Sequence, residues 1–336
     1  MSTKRMGNQT AALPTAPGIS GAACVGGKKE GEGPLGRKLD VIYTDTTLGE
    51  KTWEKSESLM QKEALRLAVE KSNLSMPEIE CVFAGDLLNQ CIGTTFGILD
   101  HARPFYGLYG ACSTMAESLS LAAMYIDGGY ANHAACLTSS HFCSAERQYR
   151  LPLEYGGQRP PSAQWTVTGS GAAVVSSGGS GPYATHVTTG IIVDAGIKDA
   201  ANMGAAMAPA AYETIKAFFA DTQNSVPVDL IVTGDLGSVG RALAEELFRK
   251  DGEARKITDC GELIYDAKRQ DVHAGGSGCG CSALVLCSHL LPEMKSGALN
   301  SVLFCGTGAL LSPVSSAQGM SIPSICHAVR LSNNRS

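Results

Sequence analysis

The chain has 336 residues, 44% of them hydrophobic and 18% charged, which supplies a large core and excludes a disordered chain. A net charge of −5, with 27 dispersed basic residues, leaves no basic face to neutralise phosphates, so nucleic acid is excluded as a partner. No apolar run approaches the roughly 20 residues a bilayer-spanning helix needs. The first residues also lack the charged-then-apolar order of a secretory signal, so any work at a membrane is expected to run through partners.

Residues 1–38 are rich in Gly, Pro, Ser and Lys and read as a loose arm. An amphipathic helix follows over 54–71, with Leu59, Met60, Ala64, Leu67 and Ala68 on one face. Ile79–Ala84 reads as a buried strand and Asp86–Thr95 as the loop and helix start after it. Pro104–Tyr109 is a short strand, then comes the turn Gly110-Ala-Cys, then a helix over 113–127 with a capping box at Thr114-x-x-Glu117. Ala134–Ser139 is the next strand, 144–165 a long polar insertion, and Thr166–Ser176 a strand. Residues 177–182 link to a second half. There we expect strands near 184–193, 229–233, 301–305 and 325–330 and helices over 209–220, 238–250 and 282–295.

The two halves repeat one another. Glu80-Cys-Val-Phe-Ala-Gly-Asp-Leu87 matches Asp229-Leu-Ile-Val-Thr-Gly-Asp-Leu236, and Gly110-Ala-Cys-Ser-Thr114 matches Gly278-Cys-Gly-Cys-Ser282. Each second motif opens a helix that runs to a glycine and then a strand. A repeat this long describes two similar half-domains, 39–180 and 181–336, rather than a solenoid. Strands alternating with helices imply an α/β fold with a largely parallel sheet in each half, and two halves together give five layers, αβαβα.

Cys112 sits on a tight strand–turn–helix junction, where helix N-terminal N–H groups lower a thiol pKa and favour an anion beside it. A buried cysteine at a close-packed turn is the alternative. The 12 cysteines include one C-x-C, Cys279 and Cys281, but no C-x-x-C pair, so we expect buried thiols in a reducing compartment, with no structural metal and no cofactor.

A Gly-Ala-Cys-Ser turn in a duplicated α/β chain resembles the thiolase superfamily, whose elbow cysteine carries an acyl group. The resemblance implies a histidine after the strand 229–233 and an asparagine at the later glycine turn. Here Gly234 stands at the histidine position and Ser277 or a neighbour at the asparagine position, so Cys112 reads as a vestigial nucleophile. A closer resemblance covers residues 30–330. Ala84-Gly-Asp-Leu-Leu-Asn-Gln90, Ala145-Glu-Arg-Gln148, Glu154-Tyr-Gly-Gly-Gln158, Thr166-Val-Thr-Gly-Ser-Gly171, Ala206-Met-Ala-Pro-Ala-Ala211, Ala274-Gly-Gly-Ser-Gly-Cys279 and Thr307-Gly-Ala-Leu-Leu-Ser-Pro313 resemble the stage V sporulation protein AD family. That resemblance implies a dipicolinic acid ligand, alone or as its calcium chelate. It also implies a place beside other SpoVA proteins, which move dipicolinate into the forespore and out at germination, and peripheral attachment to the inner spore membrane. Because thiolase-like folds are usually dimers, the resemblance also implies either a homodimer or a pairing with another SpoVA protein.

A planar dianion needs N–H groups or cations for its carboxylates and an apolar slot for its ring. The helix start at Cys112, Ser113 and Thr114 would serve one carboxylate, and Ser277 with Gly278 the other, from the facing half. Asp86 and Asp235 are either structural loop caps or ligands for Ca²⁺. His141 and His273 are either packed side chains or pocket groups, His273 being the best surviving base; Arg147 and Arg159 either meet a carboxylate or make salt bridges. With Gln90, these residues complete the candidate ligand set: Asp86, Gln90, Cys112, Ser113, Thr114, His141, Asp235, His273, Ser277 and Gly278. Three functions compete: a non-catalytic dipicolinate binder, an active acyl-transfer enzyme using Cys112, and a structural subunit with a vestigial pocket.

Overall fold

A computed structural model describes residues 4–149 and 159–335. Among the described residues fourteen strands form, in chain order: β1 (Thr10–Ala12), β2 (Gly18–Gly27), β3 (Val41–Tyr43), β4 (Cys81–Gly85), β5 (Phe105–Leu108), β6 (His133–Ser140), β7 (Trp165–Thr166), β8 (Gly169–Ser176), β9 (Tyr183–Thr188), β10 (Leu230–Thr233), β11 (Ile257–Asp259), β12 (Gly276–Ser277), β13 (Ser301–Ala309) and β14 (Ser324–Ser332). Ten of them make one path, β11-β10-β13-β14-β9-β2-β8-β6-β4-β5. Outward from the middle, β2-β8-β6-β4-β5 mirrors β9-β14-β13-β10-β11, which is the duplication in three dimensions. The two half-sheets touch through a single pairing, Gly18 with Tyr183.

The sheet is mixed, not largely parallel. β4 runs parallel to β5 and β6, and β10 to β11 and β13, but β6–β8, β8–β2, β13–β14 and β14–β9 are antiparallel. Helix crossovers join the parallel strands near each edge, as parallel pairs require.

Amphipathic helices set the layers. Helix Trp53–Lys71 starts at Thr52, whose side chain accepts from the Lys55 N–H. It lays Met60, Ala64, Leu65 and Ala68 on β2, β6 and β8; each large side chain so buried contributes roughly 1.5–3 kcal/mol. Helix Met203–Asp221 covers β13 and β14 on the opposite outer face. Between the half-sheets lie two largely buried helices, Thr114–Asp127 and Cys279–Val285, the second running on through Leu286–Leu290 and Leu291–Lys295. Helix Thr114–Asp127 packs on β4, β6 and β8 on one side and on β13 and β14 on the other. The order is helix, sheet, helices, sheet, helix.

Three local expectations fail. The arm is not loose: β2 lies at the middle of the sheet on β8, and the Asp221 carboxylate accepts the backbone N–H groups of Asn8, Gln9 and Thr10. The first half therefore begins well before residue 39. The capping box is absent, because the Thr114 hydroxyl donates to the Ala111 carbonyl instead. The insertion is shorter than its polarity predicts: helix Phe142–Tyr149 and β7 occupy its two ends. Residues 150–158, with the whole Glu154–Gln158 motif and its Gly156-Gly157 pair, lie outside the described residues.

Candidate functional site

The parallel strands of both halves end at one side of the molecule, and a narrow cavity opens there. Cys112 and Ser277 line it with Leu87, Ala111, Ala145, Glu146, Tyr149, Thr166, Met203, Ala309 and Leu311. Cys112 is held by a single 3₁₀ turn, Ala111–Ser113, before its helix. The strained residue of this elbow is Ala111, at φ +52°. Ser277 arrives from the other half on β12, whose parallel pairing with β7 puts it beside Thr166.

Asp235 organises the site from behind this wall. It is fully buried, and it accepts from the Thr307 hydroxyl (2.8 Å) and the Gly278 N–H (2.9 Å). The Cys112 thiol and the Ser277 hydroxyl are near enough to act on its charge as donors. Burial pushes its carboxyl up to about 6 against the pull of those four donors. Burial, and then the negative charge of Asp235, raise the Cys112 thiol well above its ordinary value. An elbow thiol beside a carboxylate stays protonated, the opposite of what a nucleophile needs. Among the described residues the cavity wall carries no histidine.

Of the ten expected ligand residues, the structure brings four together: Cys112 and Ser277 on the wall, Asp235 and Gly278 behind it. Gly278, at φ +95°, gives its N–H to Asp235, and the Gly280 N–H goes to the Ser140 hydroxyl. The second helix start is therefore occupied by the protein's own oxygens, so the arrangement of two open helix termini for two carboxylates is not what forms. Ser113 and Thr114 are buried and turn their hydroxyls onto the carbonyls of Gly110 and Ala111.

The rest stand apart from the cavity. Asp86 caps its own loop: it accepts from the Leu88 and Thr94 N–H groups and the Thr94 hydroxyl, and burial holds its carboxyl above the usual range. Gln90 is exposed at φ +59° and borders a separate surface depression with Asn89, Phe105 and Tyr109. His141 is buried against the Thr46 carbonyl, its Nδ1 accepting from the Cys143 N–H, and desolvation lowers its pKa. His273, at φ +51°, faces Asp271 on another surface groove, so it is not a surviving base for Cys112. Arg147 pairs with Glu54, and Arg159 lies over Trp165 beside Asp271.

Sequence reasoning missed Glu146, Tyr149, Thr166, Met203 and Leu311 on the wall and Thr307 behind it. Glu146 is buried and accepts from the Thr166 hydroxyl at 3.0 Å. Glu146, Thr166 and Thr307 sit in stretches whose pattern stood out, but spacing alone does not show that they converge. Among the described residues, no group of three or more His, Cys, Asp or Glu gathers as for a metal ion, and no helix is long and apolar enough to cross a membrane.

Known proteins match this architecture. The chain aligns over 94% of its length with OleA of Xanthomonas campestris, covering 98% of that chain at TM-score 0.57 and 14% identity. It aligns over 93% with 3-oxoacyl-[acyl-carrier-protein] synthase III of Aquifex aeolicus, covering 99% of that chain at TM-score 0.54 and 12% identity. These likenesses establish the thiolase-like fold. The stage V sporulation protein AD of Bacillus subtilis (strain 168) is 43% identical over 314 residues, 93% of each chain. The family profile described as Stage V sporulation protein AD matches residues 7–332, and the chain belongs to that family.

Proposed function

We propose that this protein is a dipicolinate-binding subunit of the spore SpoVA system, built on a thiolase-like fold that no longer catalyses acyl transfer. What carries the loss of catalysis is the setting of Cys112: burial and then the charge of Asp235 raise its thiol, where acyl transfer needs a base that favours the thiolate. Family membership supports the ligand class. The cavity supports it chemically, with Leu87, Ala145, Met203 and Leu311 as apolar walls and the polar groups of Ser277, Thr166 and Tyr149 among them.

Two carboxylates border this site, Glu146 on the wall and Asp235 behind it. Carboxylate oxygens are the ligands Ca²⁺ takes, so a calcium chelate presents a cation that suits them. The chelate is the species we propose. We further propose that the protein reaches the inner spore membrane through other SpoVA proteins. A second copy would pair at the edge strand β5, where Phe105 and Tyr106 are exposed.

Titration calorimetry of the wild type and Glu146→Gln, with dipicolinate alone and with equimolar Ca²⁺, tests the reading. Calcium should strengthen wild-type binding, and Glu146→Gln should lose about tenfold of that gain, the size of a charged hydrogen-bonding partner. Absence of binding under both conditions would remove dipicolinate as the ligand. Incubation with acetyl-CoA and intact-mass analysis should show no adduct; a stable acyl group on Cys112 would favour the enzyme instead.

A further inference from the structure

The cavity is small for the ligand proposed above. Its volume is about 40 Å³. A buried water needs ~10–15 Å³ measured this way, so there is room for roughly three or four waters and not for a pyridine ring with two carboxylates. Something on the wall must move for such a molecule to enter.

Most of the wall cannot move cheaply. Cys112 sits in a turn closed by the Ser113 and Thr114 hydroxyls, Ser277 is held by the β12–β7 pairing, and Ala309 lies on the long strand β13 between two neighbours. Helix Phe142–Tyr149 differs. It supplies Ala145, Glu146 and Tyr149 to the wall from one side. Its first turn is anchored: Phe142 stacks on Trp165 with ring centroids 4.0 Å apart, and the Ser144 hydroxyl donates to the buried Glu57. Its last turn is held by polar contacts: Arg147 pairs with Glu54, Glu146 accepts from the Thr166 hydroxyl, and the others converge on one loop. The Tyr149 hydroxyl and the Gln148 amide (2.9 Å) both donate to the Leu87 carbonyl, and the Asn89 N–H donates to Gln148 Oε1 at 3.0 Å. That loop carries consecutive left-handed residues, Gln90 at φ +59° and Cys91 at φ +49°. A few hydrogen bonds on a strained loop are a weaker fastening than the packed base of the helix.

We infer that helix Phe142–Tyr149 is a lid over the cavity, hinged at Phe142 and latched at the Leu87 carbonyl by Tyr149 and Gln148, and that release of this latch sets how fast the cavity admits a small molecule. The inference deepens the binding reading of the same cavity, yet it can be tested without the ligand, because Cys112 lies under the lid and reports its opening.

The test is alkylation by iodoacetamide of the folded full-length chain, followed by peptide-resolved mass spectrometry. Cys136, fully buried in β6, serves as the internal measure of global unfolding. The readout is the ratio of Cys112 to Cys136 labelling rates. Tyr149→Phe keeps the ring and removes only the latching hydroxyl, and Gln148→Ala removes the second donor. Each should raise the ratio roughly 3- to 10-fold, as expected for the loss of one net hydrogen bond from the closed state. A ratio equal to wild type in both variants, whether or not the absolute rates change, would overturn the lid. Failure of dipicolinate to bind, with the ratio raised, would leave the lid standing and remove only the ligand.

Discussion

Replacing Asp235 by Asn keeps the shape of the side chain and removes its charge. The amide can accept from the Gly278 N–H and donate to the Thr307 hydroxyl, the two partners it has at 2.9 and 2.8 Å, so the fold should survive. What changes is the response to pH. In the folded protein the Asp235 carboxyl sits at about 6 against an ordinary 3.8. Below the lower value both folded and unfolded chains hold the proton; between the two values only the folded chain does. The stability this group contributes is therefore complete at low pH, declines as pH rises towards 6, and is gone above it. The rise is worth about 3 kcal/mol in all, of which about 2 kcal/mol falls between pH 4.5 and 7.5. Burial, with the Asp235 charge adding to it, pushes Asp259 up to about 7, so removing that charge acts on Asp259 in the same sense. Urea denaturation of wild type and Asp235→Asn across that range should show the variant gaining about 2 kcal/mol relative to wild type. Parallel stability curves would refute the elevated carboxyl, and with it the account of why Cys112 stays a thiol.

Gly278→Ala should destabilise the chain by more than about 2 kcal/mol in urea unfolding, because its backbone is one that essentially only glycine adopts and a Cβ would sit 2.7 Å from Ser140 Oγ. Gly49→Ala, at φ +75° with open space around it, should cost clearly less; equal costs would show that the crowding at Gly278 is not felt. Phe105→Lys places a charge on the open edge of β5 and should convert a sedimenting dimer to monomer; a wild type that is already monomeric would remove the edge pairing.

Much of the architecture was legible because the chain repeats it. The two Gly-Asp-Leu strand ends fall on β4 and β10, and the helices after Cys112 and Gly278 lie at the centre of the molecule. β2 was not legible. Its sequence, GISGAACVGG, reads as a loop, yet Gly21 is there because a Cβ would run into the Ala68 carbonyl of the helix packed above. A strand chosen for close approach to a helix loses the β-branched pattern that identifies strands. Within the site, residue types were legible but directions were not. Asp86 and Asp235 occupy equivalent places in the repeat, and only the three-dimensional contacts separate a loop cap from the hub of a cavity. Glu146 and Tyr149 lie in a stretch whose polarity suggested an exposed insertion, and it is the stack of Phe142 on Trp165 that turns this helix over the cavity.

That difference between the two aspartates has a cause elsewhere in the second half. Asp86 ties down the turn after β4 by accepting the Leu88 and Thr94 N–H groups. In the second half the same turn is tied down by Asp259, which accepts from Leu236, Gly237 and Gly261. Once a neighbouring strand supplies that anchor, the aspartate of the repeat is redundant for folding and can be spent on Cys112, Ser277 and Gly278. The duplicated chain thus carries a spare part, and the chemistry of the cavity is drawn from the half whose scaffold had a substitute in place.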